Sequence, residues 1–228
     1  MDPSEKIKLI EYLKQFATEN RIKRFDEVLS KRINHMHIVL EDIYQPHNAS
    51  AVMRSADCFG IQNVHIIENR NKYKENEDIA LGSGNWVSKH FYRGEESNTK
   101  NCLNSLKEKG FKIVATTPHE KDCTLKELPI ENKFALVFGT EKEGISKDVF
   151  ETADAYVKIP MYGFTESFNI SVCAALCMYE LTERIRALSS ICWSLTEDEK
   201  TTVYLAWLRH SISRVELIEK DFFDKERK

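Results

Sequence analysis

The sequence predicts an α/β fold, a mostly parallel sheet with helices on both faces. Three observations predict it. Short apolar runs alternate with amphipathic stretches from Met36 onward. The runs are mostly uniformly apolar, as strands covered on both faces are, rather than alternating in and out. Glycines such as Gly60 and Gly110 follow the helical stretches, where a left-handed stop is needed.

Taken in order, Ser4–Arg32 reads as two helices. Ile7, Ile10, Leu13 and Phe16 form a stripe on the first, and Thr18-Glu-Asn20 breaks it. The second turns Ile22, Phe25, Val28 and Leu29 inward and its basic residues largely outward. Ile38-Val-Leu40 and Val64-His-Ile-Ile67 are strands, with a helix over Asn48–Phe59 between them. Asn98–Lys109 is an amphipathic helix. Phe111–Ala115, Phe134–Phe138 and Ala155–Ile159 are further strands, with a brief helix at Ser146–Thr152. Val172–Leu181 is a helix apolar almost all round, which predicts burial on every side. Its small residues Cys173, Ala174, Ala175 and Cys177 suit close helix packing, either on another subunit or inside one monomer. Thr196-Glu-Asp-Glu199 is a capping box opening one final helix, with Val203, Trp207, Leu208, Ile212, Val215 and Phe222 along one side.

With 228 residues the chain holds one large domain or two small ones. Its 42% hydrophobic and 30% charged residues are those of a folded globular protein. No apolar run reaches membrane-spanning length, and Met1–Phe16 lacks a signal-peptide core. Cys58, Cys102, Cys123, Cys173, Cys177 and Cys192 form no Cys-x-x-Cys pair and have no partner at zinc-ligand spacing. They are expected to be small buried hydrophobes in the cytoplasm, and no metal is expected. The net charge of −3 does not announce nucleic acid. Two local patches could contact phosphate: Arg21, Lys23, Arg24, Lys31 and Arg32, and Arg70, Lys72 and Lys74 around Tyr73. The alternative for both is an ordinary solvated face.

In an open parallel sheet, ligands sit beyond the carboxyl ends of the strands. Thr116-Thr-Pro-His119, Gly139–Gly144 and Pro160–Asn169 fall there. Ser167 and Asn169 begin the apolar helix, where free N–H groups can hold an anion or Ser167 can cap. No Gly-x-Gly-x-x-Gly fingerprint, P-loop or Gly-x-Ser-x-Gly elbow is present, which disfavours dehydrogenases, NTPases and elbow hydrolases. Arg54 lies six residues after Asn48 in a helical stretch. A guanidinium is a poor base but an excellent clamp for phosphate or a developing oxyanion. Its other option is an ion pair with Asp57.

Three segments, Asn48–Gly60, Leu136–Ser146 and Ile159–Ser171, resemble in order and spacing the three motifs of the SPOUT methyltransferases. The similarity is greatest to the TrmH family of RNA ribose 2'-O-methyltransferases. Further similarity lies in Arg24–Arg32, Val39–Asp42, Leu81–Gly84 with Trp86, and Glu197–Leu208, which look like the tRNA-specific branch.

The resemblance implies a C-terminal part threaded as a deep trefoil knot, which periodicity could not reveal. It implies segments 1–34 (a helical extension that binds tRNA), 35–190 (the catalytic domain) and 191–228 (a second helical extension). It implies bent S-adenosylmethionine held by Thr116, Thr117, Gly139, Gly144, Ile159, Met161 and Phe168, and a site completed across a homodimer. It makes Arg54 the main catalytic residue, with Asn48, Glu141, Ser167 and Asn169 completing the site and Arg21–Arg32 gripping tRNA. The implied product is a 2'-O-methylated guanosine in the tRNA D-loop. A ribosomal-RNA enzyme and a non-catalytic RNA-binding relative are the alternatives. Phe168 and Glu166 depart from the family's usual Leu and Gln, and Glu166 adds negative charge near a site meant for RNA.

Overall fold

The computed structural model describes residues 1–117, 123–140 and 142–226. It forms two compact units, Ile33–Trp193 and the paired termini Met1–Arg32 with Ser194–Lys228. The N-terminal segment supplies α1 (Pro3–Lys14) and α2 (Glu19–Leu29). Thr18 is the N-cap of α2, accepting from the Arg21 N–H, so the predicted break is a helix start. The buried stripe of α1 is Leu9, Ile10 and Leu13, whereas Ile7 and Phe16 are about half exposed. Spacing by threes alone had drifted off the buried face, because a 3.6-residue turn brings Leu9 and Leu13 together.

The larger unit runs β1 (Met36–Glu41), α3 (Pro46–Cys58), β2 (Asn63–Ile67), α4 (Glu77–Ala80), a 3-10 turn at Ser83–Asn85, and β3 (Ser88–Tyr92). It continues with α5 (Asn98–Glu108), β4 (Lys112–Thr116), β5 (Cys123–Thr124), β6 (Phe134–Phe138), α6 (Lys147–Thr152), β7 (Ala155–Lys158) and α7 (Ile170–Ala187). The strands form one sheet in the order β3-β2-β1-β6-β4-β7-β5, and every described pairing is parallel. β3 and β5 escaped the sequence reading. Ser88-Lys-His-Phe-Tyr92 is half-polar because it is an edge strand, and β5 has two residues.

Both faces of the sheet are covered. Ile38, Leu40, Val64, Ile66, Leu136 and Phe138 pack on one side with α3 and α7, through Val52, Met53, Ala174, Met178 and Leu181. The alternate residues Val39, Ile113, Ala115, Ala135 and Val137 pack on the other with Cys102, Leu103 and Leu106 of α5 and Val149 of α6. One side of α7 is therefore core. The other leaves Val172, Leu176 and Tyr179 at 46%, 41% and 58% exposure, so burial on every side does not hold within one chain. The helix carries more apolar surface than this chain covers.

The terminal unit closes with α8 (Glu197–Ser211) and α9 (Val215–Glu226). The predicted capping box is present, Thr196 and Glu199 each serving the other's backbone N–H. One expected helix is two, because Ile212 is extended and Arg214 turns left-handed at φ 55°. The apolar residues named for it are all buried. α1 packs along α8, and the Phe25 ring of α2 meets Tyr204 and Trp207 at 5.8 and 5.4 Å.

Candidate active site

β6, β4 and β7 are adjacent and parallel, so the loops that follow them leave from the same edge of the sheet. Those loops are Gly139–Gly144, Thr116–Thr117 and Ile159–Phe168, and they converge on a cavity of about 500 Å³. That volume lies within the usual range for a small-molecule site. Thr116, Thr117, Gly139, Gly144, Ile159, Met161 and Phe168 all line it, as does Ser167. Apolar walls come from Phe138, Ile145, Val157 and Ile170, and α7 contributes Cys173 and Cys177. Hydrogen bonding with Cys173, together with burial, pushes the Cys177 thiol well up, so it stays protonated. Charge at the wall comes from Lys142, Lys158, Glu143 and Glu166.

The Gly139–Gly144 loop is folded tightly on itself. Thr140 donates its N–H to the Gly144 carbonyl at 2.8 Å, and Gly144 returns the bond to Thr140 at 3.1 Å. Gly144 takes φ 71°. A Cβ on Gly139 would lie 2.1 Å from the Gly144 carbonyl oxygen. Only glycine permits that approach. Gly139→Ala is therefore expected to force the loop open and to destabilise the fold by about 1–3 kcal/mol, as overpacking does. Denaturant unfolding checks this, and an unchanged midpoint would refute the close packing.

α3 begins at Pro46, and its Asn48 is buried. Asn169 is the N-cap of α7: its Oδ1 accepts from Ser171 N–H at 2.9 Å, while its Nδ2 donates to Asn48 Oδ1 at 3.1 Å. The two asparagines thus join the starts of α3 and α7. The cap of α7 is Asn169, not Ser167. Arg54 lies elsewhere. Six residues along an α-helix is a rotation of about 240° from Asn48, so the two side chains leave α3 in different directions. Arg54 is exposed, and its Nη1 approaches the Ile79 carbonyl at 3.4 Å. One chain therefore brings together the loops and Ser167, joins Asn48 to Asn169 without placing either among the cavity-lining residues, and leaves Arg54 exposed and out of that lining as well. Glu141, and Pro118 and His119 of the loop after β4, lie outside the described residues.

Several sequence expectations need correction. Arg32 is 1% exposed, with its guanidinium 5.3 Å from the Trp207 ring centroid, so it belongs to the core of the terminal unit and not to a phosphate surface. Arg21, Lys23, Arg24 and Lys31 are exposed, with Arg24 and Lys31 both paired to Glu27. Arg70 is no loose member of a basic patch. It binds Asp42 and Glu143. Cys58 and Cys192 are exposed rather than buried. The sequence reading also missed Glu143 and Lys158 as lining residues. Glu143 lies within the Gly139–Gly144 loop but was not singled out there, and Lys158 falls just before the third motif, so its place follows from β7 adjoining β4.

An α/β sheet with a ligand cavity beyond three adjacent parallel strands defines a class, and comparison narrows it. Residues 35–179 match the SpoU rRNA Methylase family model, and the chain belongs to that family. It is similar to the tRNA (guanosine(18)-2'-O)-methyltransferase of Borreliella burgdorferi, 43% identical over 93% of this chain and 95% of that one. The protein of the same name from Thermus thermophilus is 33% identical over 75% of this chain and 86% of its own. Among solved structures, the A. aeolicus TrmH/SpoU tRNA modifying enzyme superposes with a TM-score of 0.76 at 30% identity, covering 86% of this chain and 98% of that one.

Proposed function

We propose that this protein transfers a methyl group from S-adenosylmethionine to the ribose 2'-hydroxyl of a guanosine in the tRNA D-loop. The observation that carries it is a cavity lined by residues of all three loops of the resemblance. The names of its 43% and 33% identical relatives support the substrate and the position. The lining suits the cofactor chemically. Apolar walls from Phe138, Ile159, Phe168 and Ile170 can sandwich a purine. Thr116, Thr117 and the loop backbone offer hydrogen bonds, and Glu166 matches a cationic sulfonium or ammonium. Lys142 and Lys158 can take the carboxylate end.

When bound, the cofactor supplies a methyl group on a sulfonium that leaves as a neutral thioether. The protein's task is alignment and charge control. The three loops fix the cofactor against the sheet edge. Arg54 orients the target phosphate and stabilises the alkoxide-like oxygen as the hydroxyl proton passes to solvent water. It does not act as the base, since a guanidinium holds its proton. Asn48 and Asn169 hold α3 against α7, and Ser167 faces the cavity. Exposed Arg21, Lys23, Arg24 and Lys31 of the terminal unit contact tRNA phosphates. The exposed Val172–Leu176–Tyr179 stripe of α7 is the face of a homodimer. The chain from β6 to α7 threads a deep trefoil knot, in keeping with a β6 inserted between β1 and β4, both earlier in sequence. The enzyme works in the cytoplasm.

The test is methyl transfer from labelled S-adenosylmethionine to unmodified tRNA transcripts. Parallel transcripts carry a 2'-deoxy or an adenosine nucleotide at the target. Transfer lost on the 2'-deoxy change and retained on controls is the expected result. Transfer that survives the 2'-deoxy change would exclude ribose chemistry. Activity on ribosomal RNA alone would move the substrate within the class.

A further inference from the structure

We infer that Arg70 is a positioning residue that straps the Gly139–Gly144 loop, through Glu143, to the rigid end of β1. This rests on the reading of the cavity as the cofactor site, because Glu143 lines it. The strap is a chain of three charged groups from three loops. Arg70 Nη1 and Nη2 donate to the two Glu143 carboxylate oxygens at 3.2 and 2.7 Å. Its Nε donates to Asp42 Oδ2 at 3.0 Å. The Glu143 contact is a parallel fork, the geometry a guanidinium provides and an ammonium does not.

An isolated exposed ion pair is weak, and the Arg70 and Glu143 side chains are 60% and 66% exposed. What distinguishes this one is its anchor. The Asp42 side chain is only 4% exposed and sits directly after β1. Its Oδ1 accepts the backbone N–H groups of Asn69, Arg70 and Asn71 at 3.0, 2.8 and 2.8 Å. Asn71 Nδ2 returns to the Asp42 carbonyl at 2.9 Å. Burial alone would raise the Asp42 carboxyl, but the Asn71 and Arg70 donors hold it below its ordinary value, so it stays an anion. Asp42 itself adopts a left-handed φ of 58°, which aspartate tolerates better than most side chains. The backbone of residues 69–71 is thereby fixed on β1, and Arg70 projects from it to hold the far loop. A second cavity, of about 430 Å³, lies along this strap and shares Thr140, Glu143, Gly144 and Ile145 with the first.

Arg70→Met, Arg70→Lys, Glu143→Gln and the Arg70→Met/Glu143→Gln double variant, each as the full chain, test the role. The readouts are S-adenosylmethionine Kd by calorimetry, KM and kcat, thermal midpoint, and amide hydrogen exchange across residues 140–145. Arg70→Met is expected to weaken cofactor binding about tenfold, leave kcat at saturating cofactor within about twofold, and speed exchange in the loop about tenfold without speeding it in β1 or β6. Arg70→Lys is expected to recover only part of this. The double variant should be no worse than either single one, since both cut the same link. Unchanged loop exchange in Arg70→Met and Glu143→Gln overturns the strap. So do multiplicative effects in the double variant. Wild-type protein that binds no S-adenosylmethionine defeats the cofactor reading instead, and the exchange data then decide the strap alone. Should Arg70→Met fail to fold, Glu143→Gln, at an exposed side chain, carries the same cofactor-Kd and loop-exchange readouts.

Discussion

Arg54→Ala is expected to lose about 100- to 1,000-fold in kcat/KM, the usual cost of removing a preorganised donor at a developing oxyanion. Cofactor affinity should stay within about twofold, because Arg54 is not among the residues lining the cavity. Arg54→Lys should restore little, since a lysine keeps the charge and loses the fork. Near-full activity in Arg54→Lys would remove bidentate geometry from the mechanism. A large rise in cofactor Kd in Arg54→Ala would place the residue in cofactor binding instead.

The direction in which Arg54 leaves α3 sharpens the expectation. Asn48 meets Asn169 on the same chain, while Arg54 emerges on another face and approaches Ile79. If the proposed homodimer brings Arg54 of one subunit to the cavity of the other, two defective chains can complement. Arg54→Ala supplies an intact cavity, and Gly139→Val supplies an intact Arg54. Random reassociation of an equal mixture should then recover about a quarter of wild-type activity. Recovery absent in a verified mixed dimer would mean that each chain uses its own arginine.

Much of the larger unit was legible because buried parallel strands write themselves as apolar runs. Phe134–Phe138 carries no polar residue at all, and it lies at the sheet centre. The three loops were legible too, since ligands follow strand ends and the motifs mark them. Edges and joints were not. Ser88–Tyr92 looks polar because one side of an edge strand is free. Arg32 looked like its basic neighbours, and nothing local announces that it folds over Trp207, far along the chain. Arg70 was read as one charge among three, because its partners Asp42 and Glu143 are distant in sequence and meet only through the parallel order of β2, β1 and β6. Asn48 and Asn169, which the motifs singled out together, do touch, and their contact is a joint between helices.

A drop from pH 7 to pH 5 is expected to cost the fold about 2 kcal/mol through His65, with His37 adding in the same direction, in a row of histidines that no motif marks. His37 of β1, His65 of β2 and His90 of β3 stack across the sheet, with ring centroids 5.2 and 4.6 Å apart. Their bonds fix a neutral state. Asn34 Oδ1 can only accept, so His37 Nε2, 2.8 Å away, carries the proton. His37 Nδ1 must then accept, and His65 Nε2, 3.0 Å away, donates to it. An added proton on His37 would face one N–H with another in a buried site. Burial, followed by the neighbouring His65, His90, Lys133 and Lys109, pushes His37 well below its ordinary value. Burial, followed by His90 and Lys109, brings His65 to about 3. Both folded values are depressed, so the unfolded chain binds more protons below about pH 6.5. Stability is therefore flat above that point and falls by about 1.4 kcal/mol per pH unit for His65 as pH drops toward 3, with His37 acting in the same direction. Denaturant unfolding at pH 7, 6 and 5 reads the slope, and proton NMR of the imidazoles reads its source. Resonances of His37 and His65 that titrate near pH 6.5 in the native protein would show that the row accepts protons while folded. A loss of about 2 kcal/mol from His65, with His37 adding to it, is a sizeable part of the usual 5–15 kcal/mol margin. The row thus ties the edge strand β3 and its neighbour β2 to the centre of the sheet only while its rings are uncharged.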